Sequence, residues 1–406
     1  MRRISHIPGA VLPTVMVVSV LLLLTVIAVA SLWEADFLFF SKQRYAAMQR
    51  ANLESGFTLY QEHPDETFAS LDADSTLVLY DSVAHSRIMI RRRAWGLYET
   101  VSISSCDAGI HSSKILGRRT AYKDDITFYY RNNNTALTLT GKTHLKGHTR
   151  MPRSGVIYGQ MGSVFFNGEK IEDGRMKESD KELPEPEAGA VSAVNELQAL
   201  TEGRFDLLQD DSLRHGFRES EPLIFSVDRT LEYRNLSGNI ILVGQDIEID
   251  ASCKFNDIII VGENIHIGDG FTGSLQAFAM DSINIEENVR LDYPSGLYSE
   301  KYIGIGDGTQ VNGYAIVNLK DEPNVRNANY EQSRLATVRG LVYVSGIAQL
   351  QGIVSGTVFL GKAVYYSPRG YYENMIYDAT VLENSEMAAP LWLGGPPERK
   401  EAKWVY

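Results

Sequence analysis

The chain reads as mainly β: an N-terminal transmembrane helix and helical stalk, a small antiparallel sheet, then a single-stranded parallel β-helix with a helical insertion. Three observations predict this. From Ile241 to Leu291 the chain repeats every six residues, and similar turns recur eighteen residues apart. Ala10 to Leu32 is an uncharged apolar run. Between the two lie short stretches that alternate apolar with polar residues, the mark of half-buried strands.

The repeat justifies the solenoid. Cut from Ile241, the first and third positions of successive hexads are Ile241/Val243, Ile247/Ile249, Cys253/Phe255, Ile259/Val261, Ile265/Ile267, Phe271/Gly273, Ala277/Ala279, Ile283/Ile285 and Val289/Leu291, and only Gly273 among them is not apolar. The second positions are mostly polar, including Glu248, Lys254, His266, Asn284 and Arg290. Apolar–polar–apolar is a three-residue strand with one buried face. The following residues are rich in Gly, Asp, Asn, Glu and Ser, which bend the chain at low steric cost. Three hexads make one triangular coil that buries its inner face on the next. On this register Ile247, Ile249, Ile265, Ile267, Ile283 and Ile285 form the solenoid core. A right-handed coil is favoured, although the repeat fits either hand.

The N-terminus bears on location. At ~1.5 Å per residue, Ala10–Leu32 spans a bilayer core of ~30 Å. Arg2 and Arg3 precede it, which predicts a cytoplasmic N-terminus with the bulk of the chain periplasmic or extracellular. Ala28-Val29-Ala30 also fits a signal-peptidase site, so a cleaved secretory peptide is the competing reading. A helical stalk, 33–60, continues from the span.

This end resembles the type IV pilin-like proteins, in particular minor pilins and pseudopilins. A short basic leader, 1–9, ends in Gly9, the span starts at Ala10, and the helix runs on through Tyr45-Ala46-Ala47-Met48-Gln49-Arg50-Ala51-Asn52-Leu53-Glu54-Ser55-Gly56. The resemblance implies cleavage between Gly9 and Ala10. Major pilins carry a glutamate five residues after the cut, where this chain has Thr14, a departure that suits a cap subunit rather than a fibre body. An uncut signal anchor with a helical stalk is the alternative.

Residues 61–136 hold alternating runs at Thr76–Tyr80, Arg87–Arg91, Gly96–Ser104 and Ile126–Tyr130, expected to form a pilin-like β head on the stalk. Residues 137–170 show short strands and glycine turns, and read as the first β-helix coil. Residues 171–222 form a loop and helical insertion; Val191, Val194, Leu197 and Leu200 recur at threes, so a helix is expected to cover the side or end of the solenoid. The β-helix proper is 223–382. Its later strings of Gly, Val and Tyr, such as Gly340 to Gly361, resemble the solenoid tails of polymer-forming, bactofilin-like and pilus-associated surface proteins. Residues 383–406 are expected to be a C-terminal tail, with Trp392 and Trp404 docking on the last coil.

The net charge of −12 argues against a nucleic-acid partner. Two cysteines make no disulfide framework; Cys253 sits at an inward repeat position, and a Cys106–Cys253 bond stays open in an oxidising compartment. Little chemistry is legible. His144 and His148 have the spacing of a helical metal pair but lie in strand pattern, where they do not share a face. Ile267-Gly-Asp-Gly270 and Ile305-Gly-Asp-Gly308 offer oxygens to calcium or, more simply, turns. Arg91-Arg92-Arg93 reads as a strand-end charge cluster. No residue stands out as catalytic or metal-ligating, and no cofactor is expected.

Three function classes follow. The first is a low-copy structural subunit of a surface fibre or secretion pseudopilus, whose partners are the lipid bilayer and other pilin-like or assembly-platform proteins. The second is a surface solenoid on an ordinary signal anchor that binds a glycan or protein partner, which Tyr365, Tyr366, Tyr371, Tyr372 and Tyr377 would serve. The third is a β-helix polysaccharide-active enzyme; residues 240–310 lack the Asp, Lys and Arg cluster such lyases need. The first class is the expectation, without enzymatic activity.

Overall fold

The computed structural model describes residues 11–64, 73–80, 85–107, 109–123, 126–172, 175–217, 221–320, 327–367, 370–383 and 386–405. The chain is mainly β, with a β-solenoid of about 12 turns and one long N-terminal apolar helix.

Helix α1 runs without a break from Val11 to Glu62, 52 residues or about 78 Å at ~1.5 Å each. Pro13 stands in its first turn, where a missing N–H costs little. The hydroxyls of Thr25, Ser31 and Ser41 donate to carbonyls three or four residues back, so these side chains are satisfied within the helix. Downstream, Gln49, Leu53, Phe57 and Tyr60 are buried at three- and four-residue intervals, with Asn52 beside them. That stripe packs on the head sheet.

The head is a five-stranded antiparallel sheet: β1 (Ala73–Val78), β2 (Arg87–Trp95), β3 (Tyr98–Ser105), β4 (His111–Arg118) and a C-terminal strand, Arg399–Val405, beside β4. Ile88, Ile90, Val101, Ile103 and Leu116 meet α1 on one face, while Trp95, Leu97, Tyr98 and Ile115 turn to the other. Two features differ from the sequence reading. Ile126–Tyr130 leaves the head and joins the solenoid, pairing with residues 358–360. The stretch read as a tail, 383–406, supplies the fifth strand of the head.

The solenoid ladders are parallel from coil to coil. Where turns lengthen the repeat, the register follows: Ile303 and Ile305 stack on Ile283 and Ile285 after twenty residues instead of eighteen. At one corner Gly238, Gly313, Gly340 and Gly356 all take positive φ, 100° to 152°. A Cβ on Gly340 would run into the carbonyl oxygen of Gly313 one coil below, so this corner demands glycine for space as well as for backbone.

One part of the repeat register is corrected. Ile241, Val243, Ile259 and Val261 do not face the interior; Ile240, Leu242, Ile258 and Ile260 do. A register shift just before Leu275 restores the expected sense, with Ala277 and Ala279 inside. The physical reason is that this solenoid face is covered. Its strands are buried on both sides, so they read as unbroken apolar runs and alternation cannot choose a side.

The order of coils also differs from the sequence order. Strands at 126–130, 137–140 and 144–145 stack on residues 358–360, 375–377 and 380–381, so the segment read as the first coil extends the solenoid beyond its C-terminal end. The coil of 148–158 follows, and Met176–Glu178 is paired on it. The chain then returns along the covered face: the Tyr129 hydroxyl donates to the Glu182 carbonyl, Tyr343 to Pro184, and the helix Ala188–Ala199 lies against the strands near Val261 and Phe278. The coils begin at Ser212–His215.

Candidate functional site

The first candidate region is the outer half of α1. Leu12 to Phe40 is exposed throughout, and the helix has a window of mean hydropathy 2.9, none of it buried. By length and composition it is a candidate single membrane span. Trp33, Phe37, Phe39 and Phe40 follow the uncharged run and are exposed together. Gly9 and Ala10, the sequence-derived processing site, lie outside the described residues.

The second is the junction of head and solenoid, fixed by one side chain. Gln276 is fully buried on the covered face; its Nε2 donates to the Trp95 carbonyl (2.9 Å), and its Oε1 accepts from the Leu97 amide (3.0 Å) and the Tyr314 hydroxyl (2.7 Å). The β2–β3 turn fits because Gly96, at φ 58°, has no Cβ to strike the Gln276 amide. Around this point Trp95, Tyr98, Phe278, Tyr298, Tyr314 and Trp392 form a continuous apolar layer. Burial pushes the Tyr298 hydroxyl up to about 12 and that of Tyr314 well above its ordinary value.

The C-terminal strand ties α1 to both parts. Buried Glu99 accepts from Tyr60 of α1, Arg92 of β2 and Arg399, each at 2.8 Å. Lys114 lies between the rings of Phe57 and Trp404, 4.4 and 3.9 Å from their centroids, and pairs with Glu401 at 3.0 Å. Lys403 reaches across to Asp257 of the solenoid at 2.8 Å. Beside the junction is a cleft of about 380 Å³, walled by Trp95, Leu197, Phe217, Ile224 and Ile241. Arg91, Arg93, Glu196 and Glu221 also line it, so its charges balance.

The structure places the remaining residues as follows. Ile247, Ile249, Ile265, Ile267, Ile283 and Ile285 are in the interior cluster, each at most 5 % exposed. His266 points outward and meets Glu286 at 3.0 Å. His144 pairs with Glu169 at 3.3 Å, and among the described residues no group of three or more His, Cys, Asp or Glu converges as metal ligands would. The two Gly-Asp-Gly turns lie at a corner where Gly270, Asn288 and Gly308 share the left-handed conformation. Arg91 and Arg93 both meet Asp74, whereas Arg92 is buried on Glu99. Cys106 is exposed and Cys253 buried, and both are free thiols.

Three elements were invisible to sequence reasoning: Gln276, Arg399 and the C-terminal strand. The available signal was the pair of tryptophans in a terminus without strand or helix periodicity. They dock, but not on the last coil: Trp392 packs on Tyr298 and Tyr343 of the covered face, and Trp404 on Phe57 of α1. Comparison with protein-family models, curated proteins and solved structures finds no match to this chain.

Proposed function

We propose that this chain is a membrane-anchored, extracytoplasmic structural protein, a low-copy pilin-like subunit of a surface fibre or secretion pseudopilus. One observation carries the reading: a single unbroken helix has an apolar, fully exposed outer half and an inner half sunk into an antiparallel sheet. An exposed apolar cylinder is stable only in lipid or against other helices. The rigid join to the head passes any load on α1 to the solenoid through Glu99, Lys114 and Gln276. Arg2 and Arg3 favour a cytoplasmic N-terminus, with the head outside. Thr14 offers no carboxylate to a neighbour's amino terminus within the bilayer, and the large solenoid is hard to repeat at every step of a tight fibre. Both suit a cap better than a fibre body.

Mass spectrometry of the mature N-terminus tests this. A start at Ala10 supports the pilin-like route. An intact Met1 leaves an ordinary anchor, and a start after Ala30 makes a secreted solenoid; either removes the proposal. A cytoplasm-dependent reporter fused at Tyr406 is expected to be inactive, and activity there would reverse the topology.

A further inference from the structure

Residues 352–377 contain an insertion that the solenoid does not need for its core. The strand Gly352–Ser367 turns back through Gly370–Glu373 as an antiparallel hairpin before coiling resumes at Met375–Tyr377. From Ala363 to Ala379, the interior takes Ala363, Ile376 and Ala379. Tyr365, Tyr371, Tyr372 and Tyr377 join no core cluster, and Tyr366 packs against the small group of Ala328, Ile347 and Val364. Five tyrosines are thus gathered on and beside the hairpin, outside the solenoid interior.

Strand pairing sorts them. Tyr365 lies opposite Tyr372 and Tyr366 opposite Tyr371, and directly opposed residues share a face. Tyr365 and Tyr377 rings sit 4.7 Å apart on one side, Tyr366 and Tyr371 rings 5.2 Å apart on the other. The second side adjoins a polar row: Gln349 accepts from the Tyr366 amide at 3.0 Å, and Glu331 accepts from the Tyr302 hydroxyl at 3.3 Å. The nearby charges largely cancel: Lys362 pairs with Glu373 at 2.9 Å and Arg334 with Asp378 at 3.3 Å. With Glu331 added, the patch has no surplus cation to hold phosphate, sulfate or uronate groups.

We propose that this hairpin is a docking surface for a neutral polysaccharide, with the sugar C–H faces on Tyr366 and Tyr371 and its hydroxyls donating to Glu331 and Gln349. Rigid amphipathic tyrosines give contact area at little entropic cost, and acceptors beside them suit a ligand rich in hydroxyl donors and poor in charge. The first strand enters the hairpin paired with the coil below as far as Ala363, and the Tyr366 amide is tied to Gln349, so the base of the hairpin is fixed before any ligand arrives.

The test uses the full chain in detergent, run by affinity electrophoresis through gels containing dextran, laminarin or xyloglucan, with heparin and polygalacturonate as anionic counterparts. At least one neutral polymer should retard the protein. Tyr366→Ala and Tyr371→Ala should each weaken binding about tenfold, as expected for losing one stacking face. Tyr371→Phe should stay within about twofold, because the ring face remains. Tyr371 is 38 % exposed, so its variants should fold, which thermal unfolding checks. Tyr233→Ala, at an exposed site on the early coils, should bind like wild type. Absence of retardation by every neutral polymer, retardation by the anionic polymers alone, or binding indifferent to Tyr366 and Tyr371 would overturn the proposal.

Discussion

Side chains one residue apart in the solenoid have opposite fates. Ile265 is 1 % exposed inside a coil, while the neighbouring His266 lies outside against Glu286. Ile265→Asp should cost several kcal/mol, because a carboxylate would be buried without a partner. His266→Asp should cost no more than about 1 kcal/mol, the scale of like-charge repulsion at an exposed site. Denaturant unfolding of the two variants checks the register, and equal losses would contradict it. The glycine corner permits a second contrast. Gly340→Ala combines an unfavourable backbone with a Cβ on the Gly313 carbonyl, and should destabilise by more than about 2 kcal/mol. Gly155→Ala, also at positive φ but with open space around it, should cost about 1 kcal/mol. Thermal melts of the pair separate crowding from backbone strain.

At the scale of elements, the C-terminal strand holds α1 on the head. Its Arg399 is one of two guanidiniums on buried Glu99. Arg399→Ala leaves the Arg92–Glu99 pair, so a loss of about 1–3 kcal/mol is expected. Glu99→Ala leaves two buried cations facing each other and should cost more, about 3–5 kcal/mol. Limited proteolysis should show α1 released from the head first in Glu99→Ala, and a reversed order of stability would refute this account of the network. The covered face gives the parallel lesson for strands. Ile241 is outside the coil yet only 5 % exposed, because head and return segment lie over it. A strand buried on both sides carries no alternation to read.

At the scale of the whole molecule, head and solenoid are each closed by segments distant in sequence. Residues 126–178 extend coils made from 352–382, and the head needs residues 399–405, so neither part is complete until the C-terminus is in place. Long-range closures of this kind slow folding. Stability should also depend on pH at the alkaline end. Burial raises the Tyr298 hydroxyl to about 12; burial and then the Glu331 charge raise that of Tyr302 to about 12. A raised folded value means that the unfolded chain loses its phenolic protons first. The contribution is therefore full below pH ~10, the unfolded value, and is lost as pH rises toward about 12. Circular dichroism followed together with tyrosinate absorbance should show unfolding coupled to tyrosine ionisation in that window. Full ionisation with the fold intact would contradict the burial.

Local pattern alone determined the solenoid, its eighteen-residue period, the identity of most inward isoleucines, the second helix and the long apolar helix at the N-terminus. Each of these is written in short-range periodicity, set by how a strand or helix turns its side chains. Tertiary structure decided which coil follows which, which way the covered strands face, and where the C-terminus goes. Ile126–Tyr130 has the same alternation whether it pairs in the head or in the solenoid, and Gln276 reads as a turn residue until Trp95 and Leu97 are brought against it. Those choices rest on contacts between residues one to three hundred positions apart, such as Glu99 with Arg399 and Tyr130 with Asn374, and no neighbouring residue records them.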